Sequence, residues 1–233
     1  MMKKIFLPLT NLLSLFYPRL CIGCGNILQE EEEFLCLDCL LHLPETNFHL
    51  SKENPLKEVF IGRVEVENVY SFLFYRKGNY VQKILHQLKY KGNKEIGEYI
   101  GRLYGEKLAA AGVFKDVDYI LPIPLHPKKL RIRGYNQSEW IAKGLGAALH
   151  LPYSNDFLIR STFTETQTKK TRFNRWENVK NVFEIANGEQ LIGKHVLICD
   201  DVLTTGATTE AAIQKLLEIP KIRVSIVTLA TAK

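Results

Sequence analysis

No apolar run in this 233-residue chain reaches the roughly eighteen residues that a membrane-crossing helix requires. Glycine (15) and proline (9) are too few, and too scattered, for a collagen-like or extended disordered chain. The five cysteines do not make a disulfide miniprotein of a chain this long. There is no internal repeat, and no low-complexity segment beyond the short acidic run Glu30–Glu33. Neither a Gly-x4-Gly-Lys-Ser/Thr phosphate loop nor a Gly-x-Gly-x-x-Gly dinucleotide turn occurs, which removes the two commonest nucleotide-binding loops. A secretory leader is also not expected. Met1 to Leu9 begins like one, but Asn11, Ser14 and Pro18 interrupt the apolar stretch and no small-residue cleavage site follows. Leu9, Leu12, Leu13 and Phe16 predict a short amphipathic helix instead, and the chain is expected to be cytoplasmic.

What is present is globular: 46% hydrophobic and 24% charged residues. The length suits one α/β domain of roughly 150 to 200 residues with a small appendage. A net charge of +6 favours anionic ligands without choosing among them. Lys128, Lys129, Arg131 and Arg133 form a basic cluster, and residues 160–180 carry six Lys/Arg against two Glu.

Periodicity predicts alternating elements. Arg63 to Tyr75 reads as strand or hairpin, and Val81 to Leu88 and Ile96 to Leu108 as helices, the second stopping near Gly112. Asp118 to Leu121 is a short strand ending at Pro122, and Asn136 to Leu149 a helix. Val196 to Cys199 is a buried strand, Thr208 to Leu217 a helix, and Ile222 to Thr228 a last strand. The fold class is therefore α/β, a mostly parallel sheet flanked by helices, whose ligands sit beyond the carboxyl ends of the strands. Two unusual loops fall there, Pro122 to Arg133 and Asp200 to Thr208. Residues 1–62 are expected to form a helix and a four-cysteine module, and residues 63–233 the α/β domain.

Cys21-x2-Cys24 and Cys36-x2-Cys39 are separated by eleven residues. Two residues between thiolates let one turn aim both sulfurs at one ion, and two such turns complete a tetrahedral zinc site. Disulfides would require an oxidising compartment, and a redox pair would not require two copies. With four protein ligands, the zinc is expected to be structural. Cys199, inside an apolar strand, is expected to be a buried structural thiol.

The segment Cys199-Asp-Asp-Val-Leu-Thr-Thr-Gly-Ala-Thr208 sets two acids, a run of small residues and a helix start in succession. A helix N-terminus offers unpaired N–H groups to an anion. Thr204, Thr205 and Thr208 add hydroxyl donors, and Gly206 lets the backbone approach a ligand. Asp200 and Asp201 can accept from vicinal hydroxyls or hold hydrated Mg²⁺. A ligand with a diol at one place and a phosphate at another is a ribose phosphate. Simple helix capping is the plainer alternative, but it uses only one acid and one threonine.

Val196 through Thr208 closely resembles the phosphoribosyl pyrophosphate (PRPP) motif of type I phosphoribosyltransferases. Together with the four cysteines, Leu88-Lys-Tyr-Lys-Gly92, Pro122-Ile-Pro-Leu125, Arg133-Gly-Tyr-Asn-Gln137 and Gln167 through Asn178, it resembles the ComF family of competence-associated proteins. The resemblance implies that Asp200 and Asp201 bind the ribose hydroxyls of PRPP. It implies that Thr204, Thr205, Gly206, Ala207 and Thr208 wrap the 5′-phosphate, that Ile123, Pro124 and Leu125 form the pyrophosphate loop, and that residues 160–180 are a closing hood. Arg133 and Arg172 are the preferred partners of the pyrophosphate, because arginine grips phosphate with a planar fork. Trp140 and Trp176 are expected to pack.

Three functions follow as expectations. The first is Mg²⁺-assisted phosphoribosyl transfer, with pyrophosphate leaving, to an unidentified acceptor. The second is a non-catalytic PRPP sensor. The third, compatible with both, is a single-stranded-DNA accessory of the competence machinery. The glutamine-dependent amidotransferase reaction is not expected, since the chain has no room for an ammonia-releasing domain. Oligomeric state and acceptor are not legible.

Overall fold

The computed structural model describes residues 17–51, 53–160 and 182–232. In chain order the elements are α1 (Leu37–Leu41), α2 (Pro55–Glu58), β1 (Val69–Tyr75), α3 (Tyr80–Tyr90), α4 (Glu95–Ala110), β2 (Tyr119–Pro122), α5 (Pro127–Arg133), α6 (Gln137–Leu149), β3 (Leu158–Arg160), β4 (Phe183–Ile185), β5 (His195–Leu203), α7 (Ala207–Leu216) and β6 (Arg223–Ala232). Four strands form the main sheet in the order β1-β6-β5-β2, and every pairing in it is parallel. The expected α/β class, with a mostly parallel sheet between helices, is what forms.

Two buried clusters lie against the sheet. One joins Phe72, Ile120, Leu197 and Val227 of the strands to Ile84 and Leu88 of α3, Ile100 and Leu108 of α4, and Ile141 and Leu145 of α6. Its members also include Cys21, Leu28, Leu35, Cys39 and Leu43, so the cysteine module is welded into the domain core. The other cluster joins Val196, Ile198 and Ile226 to Phe60, to Leu158 and Phe183, and to Ala212, Ile213 and Leu216 of α7. A parallel sheet needs such cover on both faces.

Both edges of the sheet are occupied. Phe74 N–H donates to Pro44 O (2.8 Å) and Thr46 N–H to Phe72 O (2.9 Å) along β1. Beside β2, Ile120 N–H donates to Pro152 O (2.9 Å) and Ser154 N–H to Ile120 O (3.0 Å).

Helices α4 and α6 cross closely because small residues face one another. A Cβ on Gly144 would lie 2.0 Å from Glu98 O, and one on Gly101 would lie 2.3 Å from Ile141 O.

Four boundaries differ from expectation. The two aspartates do not end their strand: β5 runs on to Leu203 because Asp200 pairs with Thr228 and Val202 with Ala230 of the long β6. Strand β1 begins only at Val69, the first residue paired with β6, and residues 60–64 form a turn instead. Within the expected loop Pro122 to Arg133, residues 127–133 are helical; Pro127 supplies a fixed φ in the first turn, His126 caps it, and Gly134 at φ 82° ends it. The antiparallel pair β3–β4 was not expected at all; three residues carry too little periodicity to read. The expected N-terminal helix at residues 9–16 lies outside the described residues.

Candidate functional site

Parallel strands bring the carboxyl ends of β2 and β5 to one rim of the sheet, and with them the segments 123–126 and 204–206. Ile123 N–H donates to Cys199 O (2.8 Å), which carries the β2–β5 pairing one step past the strand. Asn136 Nδ2 donates to Ile123 O (3.0 Å), and its Oδ1 caps α6 by accepting from Ser138 N–H (3.2 Å). One side chain thus fixes the 123–125 segment to the start of α6. Ile123 is buried, while Pro124 and Leu125 are half-buried.

The start of α6 faces the acids. Ser138 Oγ donates to Asp200 Oδ1 (3.0 Å) and Gln137 Nε2 donates to Asp201 Oδ2 (2.6 Å). Lys89 Nζ, from the last turn of α3, sits 3.0 Å from Asp201 Oδ1. Arg133 Nη1 donates in turn to Gln137 Oε1. The result is a chain of partners, Arg133 to Gln137 to Asp201 to Lys89. Tyr135 Oη donates to Leu88 O and ties the two sequence motifs of this network together.

Asp201 is 6% exposed and Asp200 is half-buried. Burial and the neighbouring Asp201 carboxylate push Asp200 up to about 7, against the opposing pull of Asp201 N–H, Ser138 and the Lys89 charge. Arg160, on β3, feels the Asp200 charge and lies over the Phe183 ring (5.3 Å). Cys199 is fully buried; burial and the adjacent aspartates push its thiol well up, as suits a structural role.

Beyond Leu203, residues Thr204 and Thr205 are exposed and Gly206 turns the chain at φ 75° into α7. The first N–H groups of α7 have no intrahelical partner; that of Ala207 donates to Thr205 Oγ1 at 3.5 Å, and Ala207 and Thr208 are exposed. The turn is held from behind. Arg63 donates to Thr205 O (3.0 Å) and Val59 O (3.0 Å) and pairs with Glu210. A Cβ on Gly206 would meet Val59 Cγ1 at 3.0 Å and Phe60 Cε1 at 3.1 Å. Glycine is therefore required by the backbone angle and by the packing beneath the loop.

The site residues read from sequence divide as follows. Asp200, Asp201, Thr204 to Thr208 and Ile123 to Leu125 lie at this rim, and Arg133 joins them through Gln137. Arg172 and Trp176 lie outside the described residues. Trp140 packs half-buried, with Lys94 and Lys143 over its ring (4.7 and 4.8 Å). Lys89, Gln137, Ser138 and Arg160 were not singled out, although Lys89 and Gln137 stand inside the quoted motifs. One apparent triad carries no chemistry: Ser225 Oγ is 2.9 Å from His195 Nε2, and His195 Nδ1 is 3.2 Å from Asp116. Ser225 is fully buried and His195 begins β5, away from the rim.

The four cysteines converge. Their sulfurs all lie within 4.8 Å of one another, and Cys24 Sγ is 3.7 Å from Cys36 Sγ. A tetrahedron of thiolates at Zn–S of about 2.3 Å spaces its sulfurs by roughly 3.8 Å, so the set fits that ion. Burial works against ionisation of Cys21, but N–H groups of Cys24, Cys36 and Gly23 outweigh it and bring the thiol down to about 6. Burial pushes Cys39 up. Lys83 Nζ donates to Gly23 O (2.6 Å), and Arg102 pairs with Glu33 (2.7 Å), fastening the module to α3 and α4.

No described helix is long and apolar enough to cross a membrane. Residues 141–233 match the family model described as phosphoribosyl transferase domain. The chain is 32% identical over 137 residues to the DNA utilization protein YhgH of Escherichia coli K12, covering 58% of this chain and 60% of that one. It is 30% identical over 145 residues to the competence protein ComFC of Bacillus subtilis (62% and 56%). Over 90 residues it is 34% identical to competence protein F of Haemophilus influenzae (38% and 39%). The chain thus spans at most 60% of the length of these relatives.

Proposed function

We propose, from the chain's similarity to ComF-type competence proteins and to the phosphoribosyl transferase domain model, that it belongs with them and binds PRPP with Mg²⁺ at the rim between β5 and α7. The observation that carries this reading is the succession of two carboxylates on β5 and, after the three residues past its end, the exposed start of α7. Asp200 and Asp201 take the ribose hydroxyls. The Thr204–Thr208 turn takes the 5′-phosphate through its hydroxyls and the first N–H groups of α7. The segment Ile123–Leu125 takes the pyrophosphate, with Arg133 and Arg172 on its oxygens.

The reaction is displacement at the anomeric carbon. The bond from that carbon to the pyrophosphate oxygen breaks, and its electrons leave with pyrophosphate. A lone pair of the acceptor forms the new bond, and the acceptor's proton departs. The chain's residues orient the sugar, hold the leaving group among cations and keep water away. Mg²⁺ suits the oxygen donors of Asp200 and Asp201 and, when bound, neutralises charge on the pyrophosphate. Four thiolates hold structural zinc, residues 1–62 and 63–233 are the metal-held module and the transferase domain, and the protein works in the cytoplasm. A role beside single-stranded DNA in competence is the compatible second reading, favoured by the exposed basic residues Lys128, Lys129 and Arg131 of α5.

Calorimetric titration with PRPP, with and without Mg²⁺, tests the site. The Asp200→Asn/Asp201→Asn double variant is expected to bind roughly a hundredfold more weakly or worse, from two lost charge-assisted contacts. Retained affinity in a folded double variant overturns the assignment. Pyrophosphate release with candidate bases or amines identifies a transferase; tight binding without release for any acceptor identifies the sensor.

A further inference from the structure

Asp201 has both carboxylate oxygens engaged from within the chain. Lys89 Nζ is 3.0 Å from Oδ1, and Gln137 Nε2 donates to Oδ2 (2.6 Å). Asp200 differs, since its Oδ1 takes both of its donors, Ser138 Oγ (3.0 Å) and the Asp201 N–H (2.8 Å). A sugar diol that reaches for both acids therefore meets a lysine already in place at the second. The Lys89 and Asp201 side chains are 25% and 9% exposed, so the pair is largely shielded from water. Taking the ammonium off Asp201 with nothing to receive it leaves a poorly hydrated, unpaired charge, which is costly. Gln137 is the less movable partner: it is neutral, buried, and held at its other end by Arg133. Lys89 stands on a flexible aliphatic stem in the last turn of α3. The same side chain lines a cleft of about 480 Å³ together with Arg133, and no carboxylate stands among the described residues that line it. Arg133 is the residue placed on the pyrophosphate above. The ammonium can thus turn from the acid to that anion without leaving the site.

We propose that Lys89 is a latch between the two halves of the sugar donor: it competes with the ribose hydroxyls for Asp201, is drawn off that acid by the pyrophosphate, and so selects PRPP over ribose 5-phosphate. The proposal rests on the PRPP reading above and deepens it. PRPP supplies both halves of the exchange, hydroxyls that replace the ammonium on Asp201 and a polyanion that receives it. Ribose 5-phosphate supplies only the first, and must displace the lysine without compensation. The transfer step then resets the latch. As the bond from the anomeric carbon to the pyrophosphate oxygen breaks, Lys89 lies on the departing oxygens and offsets the charge they gain. Once pyrophosphate has left, the ammonium returns to Asp201 and displaces the phosphoribosyl product. Because it touches the leaving group, Lys89 is a catalytic residue.

Calorimetry on the full chain with Mg²⁺ tests the latch, with PRPP, ribose 5-phosphate and inorganic pyrophosphate as probes. Lys89→Met keeps the stem and removes the charge. It is expected to weaken PRPP about tenfold or more, through one lost charge-assisted contact, and to tighten ribose 5-phosphate about fivefold, through the loss of its competitor. A lysine that only braces the fold would move both affinities in the same direction. A second measurement needs no variant. In the wild type, saturating pyrophosphate should tighten ribose 5-phosphate about fivefold, and ribose 5-phosphate should tighten pyrophosphate by the same factor. That synergy should vanish in Lys89→Met. Parallel changes in PRPP and ribose 5-phosphate affinity overturn the latch and leave PRPP as the ligand. So does a wild type without synergy, or a synergy that survives Lys89→Met. A wild type that binds no PRPP sinks the sugar-phosphate reading and takes the latch with it.

Discussion

Asp200 keeps its proton into a range where an exposed aspartate has long lost it, since burial and Asp201 both disfavour its charge. The folded chain therefore binds more protons than the unfolded one between about pH 4 and about pH 7, and stability falls as pH rises through that window. Asp200→Asn removes the penalty. In chelator-treated buffer its melting temperature should match the wild type near pH 4 and exceed it by a few degrees at pH 8. A gain that is the same at both pH values would falsify the raised titration. The acids themselves were legible as a pair in the sequence. Their partners were not, because Gln137 and Lys89 reach Asp201 across 64 and 112 residues, and a lysine in a polar stretch looks like any solvated lysine.

At the scale of elements, the site depends on how α6 is seated. Its first turn delivers Asn136, Gln137 and Ser138, and its seat against α4 is set by glycines with no room for a methyl group. Gly144→Ala is expected to cost roughly 2–3 kcal/mol in urea denaturation, as overpacking does, and to weaken PRPP binding by tilting that first turn. Gly206→Ala combines a left-handed φ with contact on Val59 and Phe60, and a similar loss is expected, with the anion loop displaced. Unchanged midpoints would show that the crossings have slack. Helix periods were readable in α3, α4 and α6 because their apolar faces are long. The end of β5 was not, because only the length of β6 decides how far pairing extends, and two carboxylates are poor strand formers by composition.

Across the whole molecule, the cysteine module and the sheet share one core. Purified protein is expected to hold one zinc per chain, measured by atomic emission. Cys39→Ser should lose the metal and lower the melting temperature by about 5 °C or more, because Leu28, Leu35 and Leu43 lose their support against α3 and α4. A metal-free chain of unchanged melting temperature would mean that the thiols are mere packing. The spacing of the cysteines predicted the module; that it is inseparable from the domain could not be read, since shared burial leaves no mark on a linear pattern.

The strip Pro44–Thr46 leaves the four-cysteine module and lies directly along β1. A chain stripped of zinc would therefore bare the main-chain donors and acceptors of Phe72 and Phe74 at an open sheet border, and its first failure would be self-association into β-stacked aggregates.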